Sequence, residues 1–194
     1  MEAKGQETFD AFVVLDLDRR LDRPDEEIEA AWQKLSRESH PDAEGGDAEK
    51  SADANRARSI LLSPAGRLRH WLTLHGVEVP RQNAIDSDLM TRFTEVGAAL
   101  ANADDVLKRR AAANSALGRA LLAEPAFAAQ QSIQQLLGQL QRERLAVTGQ
   151  FSTFDAAAHK GEFAAAIAAL HRLGFLEKWE SQCRERLLAF LTES

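Results

Sequence analysis

The sequence predicts an all-α protein, and three observations carry that reading. Ala, Leu, Arg, Glu and Gln dominate its 194 residues, tyrosine is absent and β-branched residues are sparse. Apolar residues recur three and four positions apart along most of the chain, the spacing of amphipathic helices. Short connections between the long patterned stretches imply helices packed antiparallel. A chain of this length forms one domain or two small ones and buries a real core.

The first element is a short helix capped by Thr8 and carrying Phe9, Phe12, Val13 and Leu15, with Asp16 and Asp18 around its exit. Leu17 and Leu21 follow as loop residues that dip into the core. Pro24 suits a helix start, and Asp25, Glu26 and Glu27 complement the positive end of the helix dipole. Along this second helix Ile28, Ala31, Trp32 and Leu35 form one buried stripe. Lys34 and Arg37 lie on another face near its end, where such a pair is ordinarily a solvated surface. His40-Pro41-Asp42 comes next, ahead of the glycine-bearing loop Ala43-Glu44-Gly45-Gly46-Asp47. Proline disfavours the α conformation in the residue before it, so His40 is expected just past a helix end. A short polar triad at such a junction reads as a contact site. A third helix is expected over Ser51–Leu62, with Ala54, Ala57, Ile60 and Leu61 packing antiparallel on the Trp32 stripe. Ser63-Pro64 interrupts it, and Arg67–His75 adds a turn or two ending at Gly76. That last piece carries Leu68, Trp71, Leu72 and Leu74, too apolar for a free surface helix. Residues 77–86, with Pro80 and Asn83, read as a linker between a unit at 1–76 and another at 87–194.

In the second unit Ser87 is a plausible N-cap for a helix with Leu89, Phe93, Val96 and Leu100 on one stripe. Asn102-Ala103-Asp104 is a point of breakage or re-capping. Val106, Leu107, Leu117, Leu121 and Leu122 continue to a boundary at Glu124-Pro125. Phe127, Ile133, Leu136, Leu137, Leu140 and Leu145 belong to another helix that stops near Gly149. The final helix opens around Gly161-Glu162-Phe163 and runs to about Leu191. On it Leu176, Trp179, Cys183, Leu187 and Phe190 share one side, while Phe175 lies roughly a quarter-turn away at about 100° per residue. Met90 likewise sits beside the Leu89 stripe. Two such residues either fill a wide bundle core or make an exposed apolar patch, the usual mark of a protein-binding site.

The composition excludes several classes of function. The net charge is −6 and no basic cluster is dense enough to hold a phosphate backbone, so nucleic acid is not an expected partner. The single cysteine, Cys183, rules out an internal disulfide and a Cys-rich metal site, and its place on the apolar side of the last helix makes it a packing residue. His40, His70, His75, His159 and His171 form no HExxH pattern, and no phosphate loop or nucleophile elbow occurs. No metal, no cofactor and no enzymatic activity are therefore expected. The polar start, Met1–Glu7, lacks a signal peptide's apolar core, and no apolar run is long enough to cross a bilayer. A reduced, cytoplasmic location without membrane attachment is the expectation.

The order of these features resembles a J domain. It comprises a short helix, an amphipathic helix, His40-Pro41-Asp42, an antiparallel helix, then Asn55-x-Ala57 and Ile60-Leu61-x-Ser63-Pro64-x-x-Arg67. The extension Arg67-Leu68-Arg69-His70-Trp71-Leu72-Thr73-Leu74-His75-Gly76 is similar to the HscB type, the J-domain co-chaperones of iron–sulfur cluster assembly. Asp88-Leu89-Met90, Phe163-Ala164-Ala165-Ala166 and Leu173-Gly174-Phe175-Leu176-Glu177-Lys178 resemble the two ends of that family's C-terminal bundle. Between them, around Arg109 to Gln150, this chain is longer, which suggests an extended hairpin or an additional helix. The resemblance implies an N-terminal J domain and a C-terminal helical bundle. It implies that His40, Pro41, Asp42 and the second helix, with Lys34 and Arg37, engage a DnaK/HscA-type seventy-kilodalton heat-shock chaperone and stimulate its ATPase. It also implies that Leu89, Met90 and Phe175 hold an IscU-type cluster scaffold. The family's patch includes acidic residues where this sequence has Thr94, Gly97 and Ala101. Two alternatives fit the same residues: a divergent J-domain protein with another client, and a helical adaptor that lacks chaperone coupling.

Overall fold

The structure, a computed structural model, describes residues 9–38, 47–80 and 87–192. Eight helices and no strand occur among them, so the protein is all-α. None of these helices is long and apolar enough to cross a membrane.

Helix α1 (Ala11–Val14) is one turn long. Asp10 caps it, its carboxylate accepting the Phe12 and Val13 amides at 2.9 and 3.2 Å. Thr8, the expected cap, lies outside the described residues. Phe12, Leu15 and Leu21 are buried, whereas Val13 points outward, 64% exposed. Helix α2 (Asp25–Glu38) opens directly after Pro24, as the proline and three acidic residues suggest. Of its expected stripe only Ile28 is fully buried, while Ala31, Trp32 and Leu35 are half-buried. Ala31 and Leu35 border a cavity of about 220 Å³, lined also by Val14, Leu15, Asp16, Lys34 and Glu38. Helix α3 (Ala48–Leu62) starts three residues before Ser51 because Asp47 caps the Glu49 and Lys50 amides. Ser63 ends it and caps α4 (Pro64–Leu74) through the Gly66 amide, with Pro64 in the first turn. Helices α1, α2 and α4 each pack on α3.

Helix α5 (Ser87–Ala111) runs unbroken through Asn102-Ala103-Asp104. Ala103 is fully buried there and Asp104 takes both branches of the Arg186 guanidinium, so neither residue frees the backbone. Helix α6 (Ala116–Thr148) passes through Pro125, where a boundary was expected. The proline removes the partner of the Leu121 carbonyl, but Leu121 is 71% exposed and water can replace it. The middle of the chain, where an extended hairpin or an additional helix was expected, is largely this one extended helix. Helix α7 (Phe151–Ala158), which the periodicity did not disclose, buries Phe151 and Phe154. Helix α8 (Ala164–Thr192) closes the chain.

Two compact units result. The first holds the described residues up to Pro80 together with Thr148–Leu170; the second holds the described residues of Arg81–Val147 and His171–Ser194. Residues 148–170, placed with the second unit in the reading from sequence, fall with the first. There the Trp71 ring meets Phe163 edge-on at 5.8 Å, which is what the apolar α4 docks against. In the second unit α5, α6 and α8 share one core, built on Val96, Ala103, Ile133, Leu140, Leu176, Trp179 and Cys183.

Candidate functional site

In the first unit the sequence motifs converge on the α2–α3 pair. The Trp32 indole N–H donates to Asn55 Oδ1 at 3.0 Å, and Arg58 donates twice to the Glu29 carboxylate, at 2.8 and 2.6 Å. The Arg58 guanidinium also lies 4.4 Å over the Trp32 ring. These hydrogen bonds hold the Glu29 carboxyl below its usual range. The base of the pair is tied by Arg67, a buried guanidinium that donates to the carbonyls of Leu61, Leu21 and Arg23 and to the Asp25 carboxylate. Sequence reasoning gave Arg67 only as a motif letter; three of its four partners lie in the single stretch 21–25, more than forty positions away, and leave no local pattern. Lys34 and Arg37 are both exposed near the end of α2, Arg37 donating back to the Gln33 carbonyl at 3.1 Å. His40, Pro41 and Asp42 lie outside the described residues, in the sequence that joins Glu38 of α2 to Ala48 of α3.

The second unit carries a groove. Leu89, Met90 and Phe175, singled out in the sequence, come together with Phe93 and Trp179 around an apolar cavity of about 150 Å³. Leu89 and Trp179 are its buried floor, Phe175 is half-buried, and Met90 and Phe93 stand 51% and 56% exposed. Phe93 was expected in the buried stripe, and the structure corrects this. At about 100° per residue it sits about 40° off the Leu89–Val96–Leu100 line, on the side toward Met90. Its ring tilts against Trp179 at a centroid distance of 6.3 Å, and Phe175 lies 5.6 Å from the same indole. The shoulder position of Phe93 was the signal available in the sequence; its three- and four-residue spacing from Leu89, Val96 and Leu100 masked it.

Outside the groove lining, Arg92 pairs with Glu95 and Glu143, and Arg172 reaches Glu143 at 3.5 Å, so these charges largely answer one another. Thr94, Gly97 and Ala101 are exposed on α5. Among the described residues no group of three His, Cys, Asp or Glu side chains could hold a metal ion. Cys183 is fully buried, and burial pushes its thiol up to about 11.

No family model matches the chain, and no curated protein does. Among solved structures the fold has all-helical counterparts. More particularly it is HscB-like. The crystal structure of human co-chaperone protein HscB matches with a TM-score of 0.61 at 18% identity, over 95% of this chain and 84% of that one. Chaperone HscB from Vibrio cholerae matches with a TM-score of 0.58 at 16% identity, over 91% and 96%. At these identities the likeness is one of fold.

Proposed function

We propose that the protein is a co-chaperone that stimulates the ATPase of a DnaK/HscA-type heat-shock chaperone and delivers to it an IscU-type iron–sulfur scaffold. The observation that carries this reading is the groove: on an HscB-like fold, Leu89, Met90 and Phe175 converge into one partly exposed apolar site. An apolar site of this kind, walled by a Met and aromatic rings, suits a protein client. His40-Pro41-Asp42, between two helices pinned by Trp32–Asn55 and Glu29–Arg58, is the segment that engages the chaperone. Lys34 and Arg37 steer that encounter toward an acidic chaperone face. The protein is not itself the ATPase; its binding shifts a conformational equilibrium in its partner.

The test is chaperone ATPase turnover, with and without scaffold, for the wild type and His40→Gln. Stimulation by the wild type that is lost in a fully folded His40→Gln supports the reading. Equal stimulation by both proteins overturns chaperone coupling through this segment and leaves a helical adaptor. Stimulation without scaffold binding points to another client, a reading favoured by Thr94, Gly97 and Ala101 where the resemblance implies acids.

A further inference from the structure

A second polar cluster, unused by the groove or by the α2–α3 pair, ties α1 to α4 through a titratable acceptor. The Ala11 amide, the first N–H of α1, donates to His70 Nε2 on α4 at 2.9 Å. Helix α1 thus satisfies its leading donors with two different groups: the imidazole takes Ala11, and the Asp10 carboxylate takes Phe12 and Val13. A ring nitrogen that accepts a hydrogen bond carries no proton, so His70 here is neutral, with its proton on Nδ1. The ring lies between Phe12, stacked at 6.0 Å, and Phe9, tilted at 6.2 Å. Its side chain is only 11% exposed.

Among the described residues, three charged groups face the imidazole. Asp10, ahead of α1, places Oδ1 3.9 Å from Nε2. Arg19, in the turn after α1, is engaged by Asp10 at 2.6 Å. Arg56, on α3, holds its guanidinium over the Phe9 ring at 4.1 Å. Burial, with Arg56 and Arg19 adding to it, outweighs the attraction of Asp10 and holds His70 below the ordinary histidine value.

We propose that His70 is an acid-released latch on α1. Taking a proton from solvent, Nε2 turns from acceptor to donor and faces the Ala11 N–H donor to donor. Among the described residues the new imidazolium has one anion in reach, Asp10, and drawing on that carboxylate competes with the cap of α1 and with Arg19. Both events loosen the same turn, which carries the buried Ala11 and Phe12. The sign follows from linkage. A histidine whose folded value is depressed contributes stability that is full above its unfolded value of about 6.5 and is lost as pH falls from there through the folded value. The latch is therefore closed at neutral pH and opens in mild acid, independently of any co-chaperone activity.

The test is an NMR titration of the full chain from neutral to mildly acidic pH, following the His70 ring, the Ala11 amide and hydrogen exchange in α1. The expected result is a His70 midpoint below about 6.5, with the Ala11 amide moving at the same midpoint. Exchange protection of α1 should fall about tenfold in step, as for loss of one hydrogen bond to a buried donor. His70→Gln, whose amide oxygen accepts without titrating, should keep α1 protected and erase the step. A His70 midpoint at or above the ordinary value overturns the proposal. So does titration of His70 with no change at Ala11, or an acid-induced loss of protection that persists in His70→Gln.

Discussion

Arg67 is the residue whose removal the first unit tolerates least. Its side chain is 4% exposed, and its guanidinium answers three backbone carbonyls and one carboxylate. Arg67→Ala strands those carbonyls and should lower stability by about 3–5 kcal/mol, read from chemical denaturation. Arg67→Lys keeps the charge but cannot span the same acceptors, and should recover only part of the loss. A variant within about 0.5 kcal/mol of the wild type would show that water or a rearranged loop replaces the guanidinium. Cys183 makes the opposite prediction, of chemical silence. With the thiol up at about 11, the nucleophilic thiolate is scarce at pH 8 and no path leads to it. Iodoacetamide should label the folded protein negligibly and the urea-unfolded protein fully. The raised value also contributes stability that is complete below the unfolded thiol's value of about 8.5 and is lost as pH rises toward 11. Rapid labelling of the folded state would place this helix face in frequent contact with solvent.

At the scale of elements, the helices and most of their faces were legible because burial imposes a period on the sequence, and the misreadings share one cause. Asn102-Ala103-Asp104 and Pro125 are local breakers, but each sits in a helix whose flanking residues are buried against two others; core packing outweighs a weak propensity. Phe151 and Phe154 form a helix too short for a period to show, and its hold on the first unit is a contact 134 positions distant in sequence, from the Leu21 amide to the Asp155 carboxylate. The stripe on α2 was read as buried because periodicity marks a face without saying how fully it is covered. Trp32 illustrates the difference, since its half-buried ring is held by Asn55 and Arg58 and not by a closed core. Asn55→Ala removes one side-chain hydrogen bond, and the expected loss is about 1 kcal/mol of stability. Trp32→Phe should lose a similar amount, and the double variant should lose less than the sum because both remove one bond. Additive losses would show that Asn55 and Trp32 act separately.

At the scale of the whole molecule, the groove and the segment proposed to engage a chaperone fall in different compact units, and this makes their contributions separable. The discriminating variant joins Met90→Ala and Phe93→Ala, because both side chains are more than half exposed while the groove floor, Leu89 and Trp179, is left intact. Truncating residues so exposed should shift stability by no more than about 0.5 kcal/mol each. If the groove holds the client, each truncation should weaken scaffold binding by about 1–2 kcal/mol, which is 5- to 30-fold in affinity. Because the residues lining the groove carry no charge, that binding should depend on salt only weakly. Basal stimulation of the chaperone, which calls on the other unit, should be unchanged in the same protein. Scaffold affinity by calorimetry, thermal melting and scaffold-free ATPase turnover on this one variant separate the possibilities. Unchanged affinity with an intact fold removes the groove from client binding. A large fall in melting temperature shows instead that Met90 and Phe93 support the α5–α8 packing, and their exposure is then incidental to recognition.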